Sequence, residues 1–286
     1  MEPFLRNKPY SGPVRAVILD WAGTAVDYGC IGPTAVFTAV FKKFGIDVGP
    51  AEARRFMGLM KKDHLRGMCG LAAVSGQWRD RYGREPNEED IERLYAETEP
   101  MMTAVIERHA DPIPGLIDTV AALRGRGVKI GSTTGYTRPM LEKLMPAAKQ
   151  RGYAPDAVVC SSDVPAGRPY PWMAFLNAVR LEVYPLEAVV KIGDTLSDVE
   201  EGLNAGMWAI GLSQSGNELG LSEEEVGRLD PALLGQRLAE IERRFRSSGA
   251  HYVARGIWEC LPLIDAIESR LGRGEQPLDP EQSEAT

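Results

Sequence analysis

Five side chains of this 286-residue sequence have the types and positions needed to handle a phosphoryl group. Asp20 follows the apolar run AVIL, and the hydroxyl cluster Ser132-Thr133-Thr134-Gly135, which contains Thr134, follows VKIG. Arg168, in AGRPYPW, opens the helix expected after AVVC, and GDTLSD, with Asp194 and Asp198, follows VVKIG. Carboxylates supply the hard oxygens that hold Mg²⁺, and a dication offsets repulsion between an anionic phosphoryl group and an attacking carboxylate. Hydroxyls, backbone N–H groups and a guanidinium take up the remaining oxygens. Singly, each feature has an ordinary use, since an Asp closing a strand is most often a helix cap or turn residue. Four features in order, each behind a strand, point together to a phosphate–magnesium site.

Strands must place these groups. Ala16–Leu19, Val128–Gly131, Ala157–Cys160, Val189–Gly193, Trp208–Leu212 and His251–Val253 are short apolar runs of the kind found in parallel sheets covered on both faces. Periodic stretches such as Leu116–Arg126 and Pro139–Arg151 read as crossover helices, so the alternation predicts a doubly wound α/β core. From about Cys30 to Glu107 the pattern is helical instead: TAVFTAVFKKF from Thr34, AEARRFMGLMKKDHLRGM from Ala51, and EEDIERLYAETEPMMTAVIERH from Glu88. The expected domains are an α/β core over 1–29 and 108–271 and an all-helical cap over 30–107. Such a cap hangs over the carboxyl edge of the sheet, where open α/β folds bind ligands. The polar tail, 272–286, is rich in Pro and Glu and is expected to be disordered.

A net charge of −7 with 44% hydrophobic and 26% charged residues describes an ordinary globular chain and argues against nucleic acid or a membrane surface as partner. Four cysteines with no C-x-x-C pair signal neither a disulfide framework nor a zinc site. There is no signal-peptide h-region and no run near the ~18 apolar residues of a membrane span. A cytoplasmic enzyme with a small-molecule partner is the expectation.

The ordered set D-x-x-G-T at Asp20–Thr24, the Thr-bearing second motif, the cationic third and G-D-x-x-x-D resembles the haloacid dehalogenase superfamily of aspartate-nucleophile phosphotransferases. That resemblance implies Asp20 as nucleophile, Asp20, the Ala22 carbonyl and Asp194 as Mg²⁺ ligands, Asp198 in support, and Thr134 and Arg168 on phosphoryl oxygens. Two departures stand out. Ala22 replaces the usual second Asp, and Arg168 stands where Lys is commoner.

The missing acid has a chemical reading. Cleaving a P–O bond profits from protonating the leaving oxygen, worth ~10²–10⁴-fold in rate. Cleaving a P–C bond leaves a carbon with no lone pair to protonate, so the electrons need a sink. A protonated imine provides one, and an imine needs a lysine amine and a carbonyl substrate. In MGLMKKDH, Met57, Lys61 and His64 fall at i, i+4 and i+7, one helical face, while Lys62 lies about 100° round and points elsewhere. A lysine used this way must be shifted well below its reference pKa of about 10.4, and burial near cations does so.

With MGLMKKDH added to DWAGTAVDYGC, GSTTGYTR, DVPAGRPYPWM and KIGDTLSD, the resemblance narrows to the phosphonoacetaldehyde hydrolases, the branch that cleaves a carbon–phosphorus bond through a Schiff base. It implies Lys61 as the imine lysine, His64 and Tyr136 in proton transfer or positioning, Met57 beside the imine, and a homodimer formed through the caps. Trp21 and Cys30 lie near the nucleophile; Cys30 is expected to be a small buried hydrophobe, and His109 and His251 structural. The apolar stripe Val36, Phe37, Val40, Phe41, Phe44 is either a dimer contact or the cap's own core. The alternative function is a capped Mg²⁺-dependent phosphatase or phosphomutase, with Asp27 the nearest replacement acid. A non-catalytic phosphate binder ranks below both.

Overall fold

The computed structural model describes residues 6–278. Six parallel strands, β1 (Ala16–Leu19), β2 (Lys129–Thr134), β3 (Ala157–Cys160), β4 (Val189–Gly193), β5 (Trp208–Leu212) and β6 (Tyr252–Ala254), form one sheet in the order β3-β2-β1-β4-β5-β6. All of β1 is fully buried, as near-continuous apolar strands in covered parallel sheets are. The chain leaves β1, returns on one side of it as β2, and later crosses to its other side as β4. β1 is therefore the switch point, and Leu19, opposite both Ser132 and Ile192, sets the register there. Side chains just beyond β1, β2 and β4 must converge on one crevice.

The insert that follows β1 holds five α-helices, α1 (Ile31–Lys43), α2 (Pro50–Arg54), α3 (Lys61–Cys69), α4 (Ala72–Tyr82) and α5 (Glu88–Val105). The crossovers and the C-terminal layer are α6 (Leu116–Gly125), α7 (Arg138–Gln150), α8 (Trp172–Arg180), α9 (Leu196–Asn204), α10 (Glu223–Arg228), α11 (Pro231–Ser247) and α12 (Cys260–Gly272). None of the helices among the described residues is long and apolar enough to cross a membrane. Val36, Phe37, Val40 and Phe41 of α1 are buried, and Phe44 stacks on Trp78 at 6.0 Å, so this stripe is spent inside the helical insert. It is the insert's own core rather than a free contact face.

The continuous helical pattern from Ala51 to Met68 is broken. Between α2 and α3, residues 55–60 form turns, with Gly58 at φ +90°. Met57 thus does not share a helical face with Lys61 and His64. The break lays this segment on the core: the Gly58 carbonyl accepts from Arg168 Nη1 at 3.3 Å, and Met60 Sδ accepts from Gly167 N at 2.9 Å. A Cβ at Gly58 would stand 2.4 Å from Ser197 Oγ, so both the positive φ and the close approach require glycine. The end of the chain also differs from expectation. Residues 273–277, assigned by composition to a disordered tail, pack back through Arg270–Glu275 at 2.7 Å and the Pro277 carbonyl on His251 Nε2 at 2.6 Å; residues 279–286 lie outside the described part.

The linker out of β1 is held in an uncommon backbone. Asp27 and Cys30 have φ of 55° and 51°, conformations costly for non-glycine residues unless the surroundings fix them. Asp27 Oδ1 lies 3.0 Å from Nδ1 of His109, on the returning linker, and Asp27 Oδ2 accepts from Gly32 N at 3.1 Å. His109 therefore ties the two linkers together. The Asp27 hydrogen bond holds the His109 pKa above its ordinary 6.5. A group with a raised folded pKa stabilises fully below its unfolded pKa, and that contribution is lost as pH rises through the folded value. Thermal melts from pH 5 to 9 are expected to show His109→Ala lowering Tm most at the acid end, with the difference from wild type shrinking as pH rises; a pH-independent difference contradicts the tie.

Candidate active site

The register delivers the predicted side chains to one place. Asp20, Ala22, Met57, Lys61, Thr134, Tyr136, Arg168 and Asp194 line a single cleft between the sheet edge and the insert, with Gly58 and Gly135. Asp20 N donates to the Ile192 carbonyl at 3.0 Å, which fixes the carboxylate between the β2 and β4 loops. Asp198 sits immediately beneath, on α9. That helix starts with a capping box in which Thr195 accepts from Asp198 N and the Asp198 carboxylate accepts from Thr195 N.

Arg168 is the hub, with its side chain 1% exposed. Its Nη2 donates to Asp20 Oδ1 at 2.8 Å and to the Thr133 carbonyl at 3.0 Å and lies 3.0 Å from Asp198 Oδ1, while Nε donates to Glu201 Oε2 at 2.9 Å. Lys191, in the middle of β4 and fully buried, donates to Asp198 Oδ1 at 2.6 Å and lies 3.5 Å from Glu201. Lys191 and Glu201 escaped the sequence reading. The signal was present, since a lysine inside the otherwise apolar VVKIG must be paired if that strand is buried.

Four buried carboxylates, Asp20, Asp194, Asp198 and Glu201, face two cations, Arg168 and Lys191. One oxygen each from Asp20, Asp194 and Asp198 lie within 4.8 Å of one another. Burial, with repulsion from Asp198, raises the Asp20 pKa to about 6, and burial with Asp20 and Asp198 drives Asp194 well above the usual carboxylate range. Asp198 is held low by Arg168 and Lys191 although burial works against its charge. Three hard-oxygen donors with unmet negative charge fit a small dication such as Mg²⁺, which the carboxylates of Asp20, Asp194 and Asp198 could hold.

Cys30 is more than filler: its thiol donates to Asp194 Oδ2 at 3.2 Å, and burial keeps it protonated. Thr24 Oγ1 donates to Asp194 Oδ1 at 3.2 Å, and Asn217 N to Oδ2 at 2.7 Å. Thr134 Oγ1 closes the β2 turn by accepting from Tyr136 N at 3.1 Å. Trp21 packs edge-on to Tyr153 in the core and does not line the cleft.

Lys61 is 5% exposed and, among the described residues, makes no ion pair. Its Nζ sits over the rings of Tyr136, 4.7 Å from the centroid, and Phe37, 5.7 Å. Burial brings its pKa down to about 8, against the pull of Asp20. Lys62 points away and pairs with Glu92 at 2.6 Å in solvent. His64 lies outside the cleft lining: its ring stacks on Phe37 at 3.8 Å, and its Nε2 bonds the Ala53 carbonyl at 2.8 Å. Burial, reinforced by Lys61, lowers its pKa to about 3, so His64 is neutral, with Nδ1 unpartnered among the described residues. Asp27, the replacement acid considered above, is committed to His109 and Gly32 and does not line the cleft.

Residues 14–206 match the family model for haloacid dehalogenase-like hydrolases. The chain belongs to that family. Within the haloacid dehalogenase-like hydrolases it is 54% identical over 277 residues to a phosphonoacetaldehyde hydrolase of Syntrophobacter fumaroxidans, covering 97% of this chain and 100% of that one. A phosphonoacetaldehyde hydrolase of Nitratidesulfovibrio vulgaris is 52% identical, covering 97% and 99%. The crystal structure of a phosphonoacetaldehyde hydrolase-like protein from Oleispira antarctica superposes with a TM-score of 0.93 at 40% identity, covering 96% of this chain and 100% of that chain. The six-stranded parallel sheet with its surrounding helices is the family's fold.

The space left in the cleft is about 20 Å³, enough for one water. Met57 and Gly58 of the segment 55–60 line this space, and Gly58 determines how closely the segment packs on the core. Gly58→Ala is expected to lower hydrolytic kcat/KM by roughly 10²-fold through misplacement of Lys61 and Arg168, with Tm lowered by a few degrees at most. Unchanged kinetics would mean that the 55–60 contact is not needed for turnover.

Proposed function

We propose that this chain hydrolyses the carbon–phosphorus bond of phosphonoacetaldehyde to acetaldehyde and phosphate. The observation that carries the reading is a buried lysine with a lowered pKa in the same cleft as the Asp20 carboxylate, where Ala22 leaves no acid for a leaving oxygen. The names of the nearly full-length relatives support the same substrate.

In this mechanism the neutral Lys61 amine adds to the aldehyde, and the adduct takes up one proton and loses water, giving a protonated imine. Asp20 attacks phosphorus, and the electrons of the breaking C–P bond move into the C=N⁺ group, leaving a neutral enamine on Lys61 and a phosphorylated Asp20. The enamine takes up a proton at carbon and is hydrolysed to acetaldehyde, which restores the amine; water cleaves the aspartyl phosphate. Asp20, Asp194 and the Ala22 carbonyl would hold Mg²⁺, which when bound would supply charge neutralisation for the phosphoryl group. Arg168 and Thr134 orient its oxygens, and Asp198 fixes Arg168. Tyr136, kept neutral by burial, lies against the amine and shapes its pocket, with Met57 alongside. His64, neutral and three residues after Lys61 on α3, offers Nδ1 as an acceptor to a water near the amine rather than acting as a strong base. The helical insert serves as a cap. A homodimer belongs to the same reading, but the α1 stripe is unavailable for it; the exposed apolar side chains Tyr170, Trp172, Val179 and Tyr184 lie on the core.

Incubation with Mg²⁺ and phosphonoacetaldehyde, followed by borohydride and mass spectrometry, is expected to place a two-carbon adduct on Lys61. Its rate of formation rises with pH and levels off above pH about 8, as the amine loses its proton. Lys61→Arg is expected to abolish adduct and phosphate release together. Hydrolysis of phosphate esters with no adduct on any lysine would replace this reading with that of a capped phosphatase.

A further inference from the structure

The segment after β5, residues 213–220, bonds to the nucleophile turn, the outgoing linker, Asp194 and the end of α2, although none of its side chains lines the cleft. Ser215 Oγ donates to the Gly23 carbonyl in the nucleophile turn at 2.8 Å, and the Ser215 carbonyl accepts from Gly29 N in the outgoing linker at 2.8 Å. Asn217 N donates to Asp194 Oδ2 at 2.7 Å, and its Nδ2 donates to the Arg54 carbonyl, at the end of α2, at 3.1 Å. Arg54 Nη1 in turn donates to the Gly29 carbonyl at 2.6 Å. The backbone lies hard against Asp194: a Cβ on Gly216 would meet Asp194 Cβ at 2.1 Å.

We infer that Asn217 is a positioning residue that couples occupation of the Asp194 carboxylate by Mg²⁺ to docking of the cap segment 54–60. It spans one residue's length between the carboxylate and Arg54, the residue that leads into 55–60. Asn217 is 5% exposed, and burying an amide is costly unless its hydrogen bonds are used. Here one N–H is spent on a carbonyl that belongs to the cap. A movement of Asp194 toward a bound cation is transmitted through the Asn217 backbone to that bond, and by linkage a docked cap must favour the bound cation to the same degree. Lys61 lies on the far side of the same segment, so loading the cation helps to bring the amine into place. The inference rests on the proposed function only in taking Mg²⁺ to sit on Asp194.

Hydrogen exchange of the full chain, with and without Mg²⁺ and with no substrate, tests it. In the wild type Mg²⁺ is expected to slow exchange across 54–60 roughly fivefold, the weight of one hydrogen bond. Asn217→Leu keeps the volume and the backbone N–H on Asp194 but loses the donor to Arg54. It is expected to bind Mg²⁺ calorimetrically while the Mg²⁺ response of 54–60 disappears. A merely structural role would speed exchange equally with and without Mg²⁺. A retained response in Asn217→Leu, or none in the wild type, overturns the coupling; Asn217→Ala serves if the leucine variant does not fold. Absence of a Lys61 adduct in the wild type would overturn the proposed function and leave this measurement standing.

Discussion

Everything in this molecule is arranged around an excess of negative charge placed where water cannot reach it. Asp20 and Asp194, at the ends of β1 and β4, and Asp198 and Glu201, on α9, are buried together, and among the described residues Arg168 and Lys191 are the cations that pair with them. Such an arrangement is expensive unless each oxygen is bonded and a further cation is close. The surrounding structure supplies bonds from Thr24, Cys30, Thr195 and the Asn217 backbone. The remaining imbalance suits a dication, and the sheet's switch point is what brings Asp20 and Asp194 together.

Much of this was legible from residue types alone. Four of the six strands, β1, β3, β4 and β5, have the limits that the apolar runs imply, because a parallel strand covered on both faces is an apolar run with polar ends. β2 runs on to Thr134, three residues beyond its apolar run, since Ser132, Thr133 and Thr134 stay buried by bonding to Leu19, Glu201 and Tyr136. Asp20 and Asp194 were found for the same reason, as the first polar residues after their runs, whereas Arg168 and Asp198 were read from the motifs that follow.

What composition and spacing did not reveal depends on partners distant in sequence. The helical periodicity of Ala51–Met68 is genuine, yet the core's demand on Gly58 and Met60 breaks it. His64 carries a residue type that suggests proton transfer, but its place under Phe37 and against Ala53 makes it neutral. Lys191 hid inside an apolar strand, and Asn217 and Arg54 have no local pattern, since their meaning lies in bonds across 163 residues of sequence separation. The Ala22 substitution was the most informative residue of all, because the chemistry that it removes restricts the chemistry that remains.

Lys61 is also the first residue of α3. Side chains on a helix lean toward its N-terminus, where the unpaired N–H groups carry the positive end of the macrodipole, so this amine works against a fixed positive potential. Two charge changes in the proposed reaction run with that potential, loss of the ammonium proton and collapse of the iminium to a neutral enamine, while formation of the iminium runs against it. The helix end thus makes the cationic state of Lys61 the one that it leaves most readily, and the same field would favour an anionic phosphoryl group brought into the cleft.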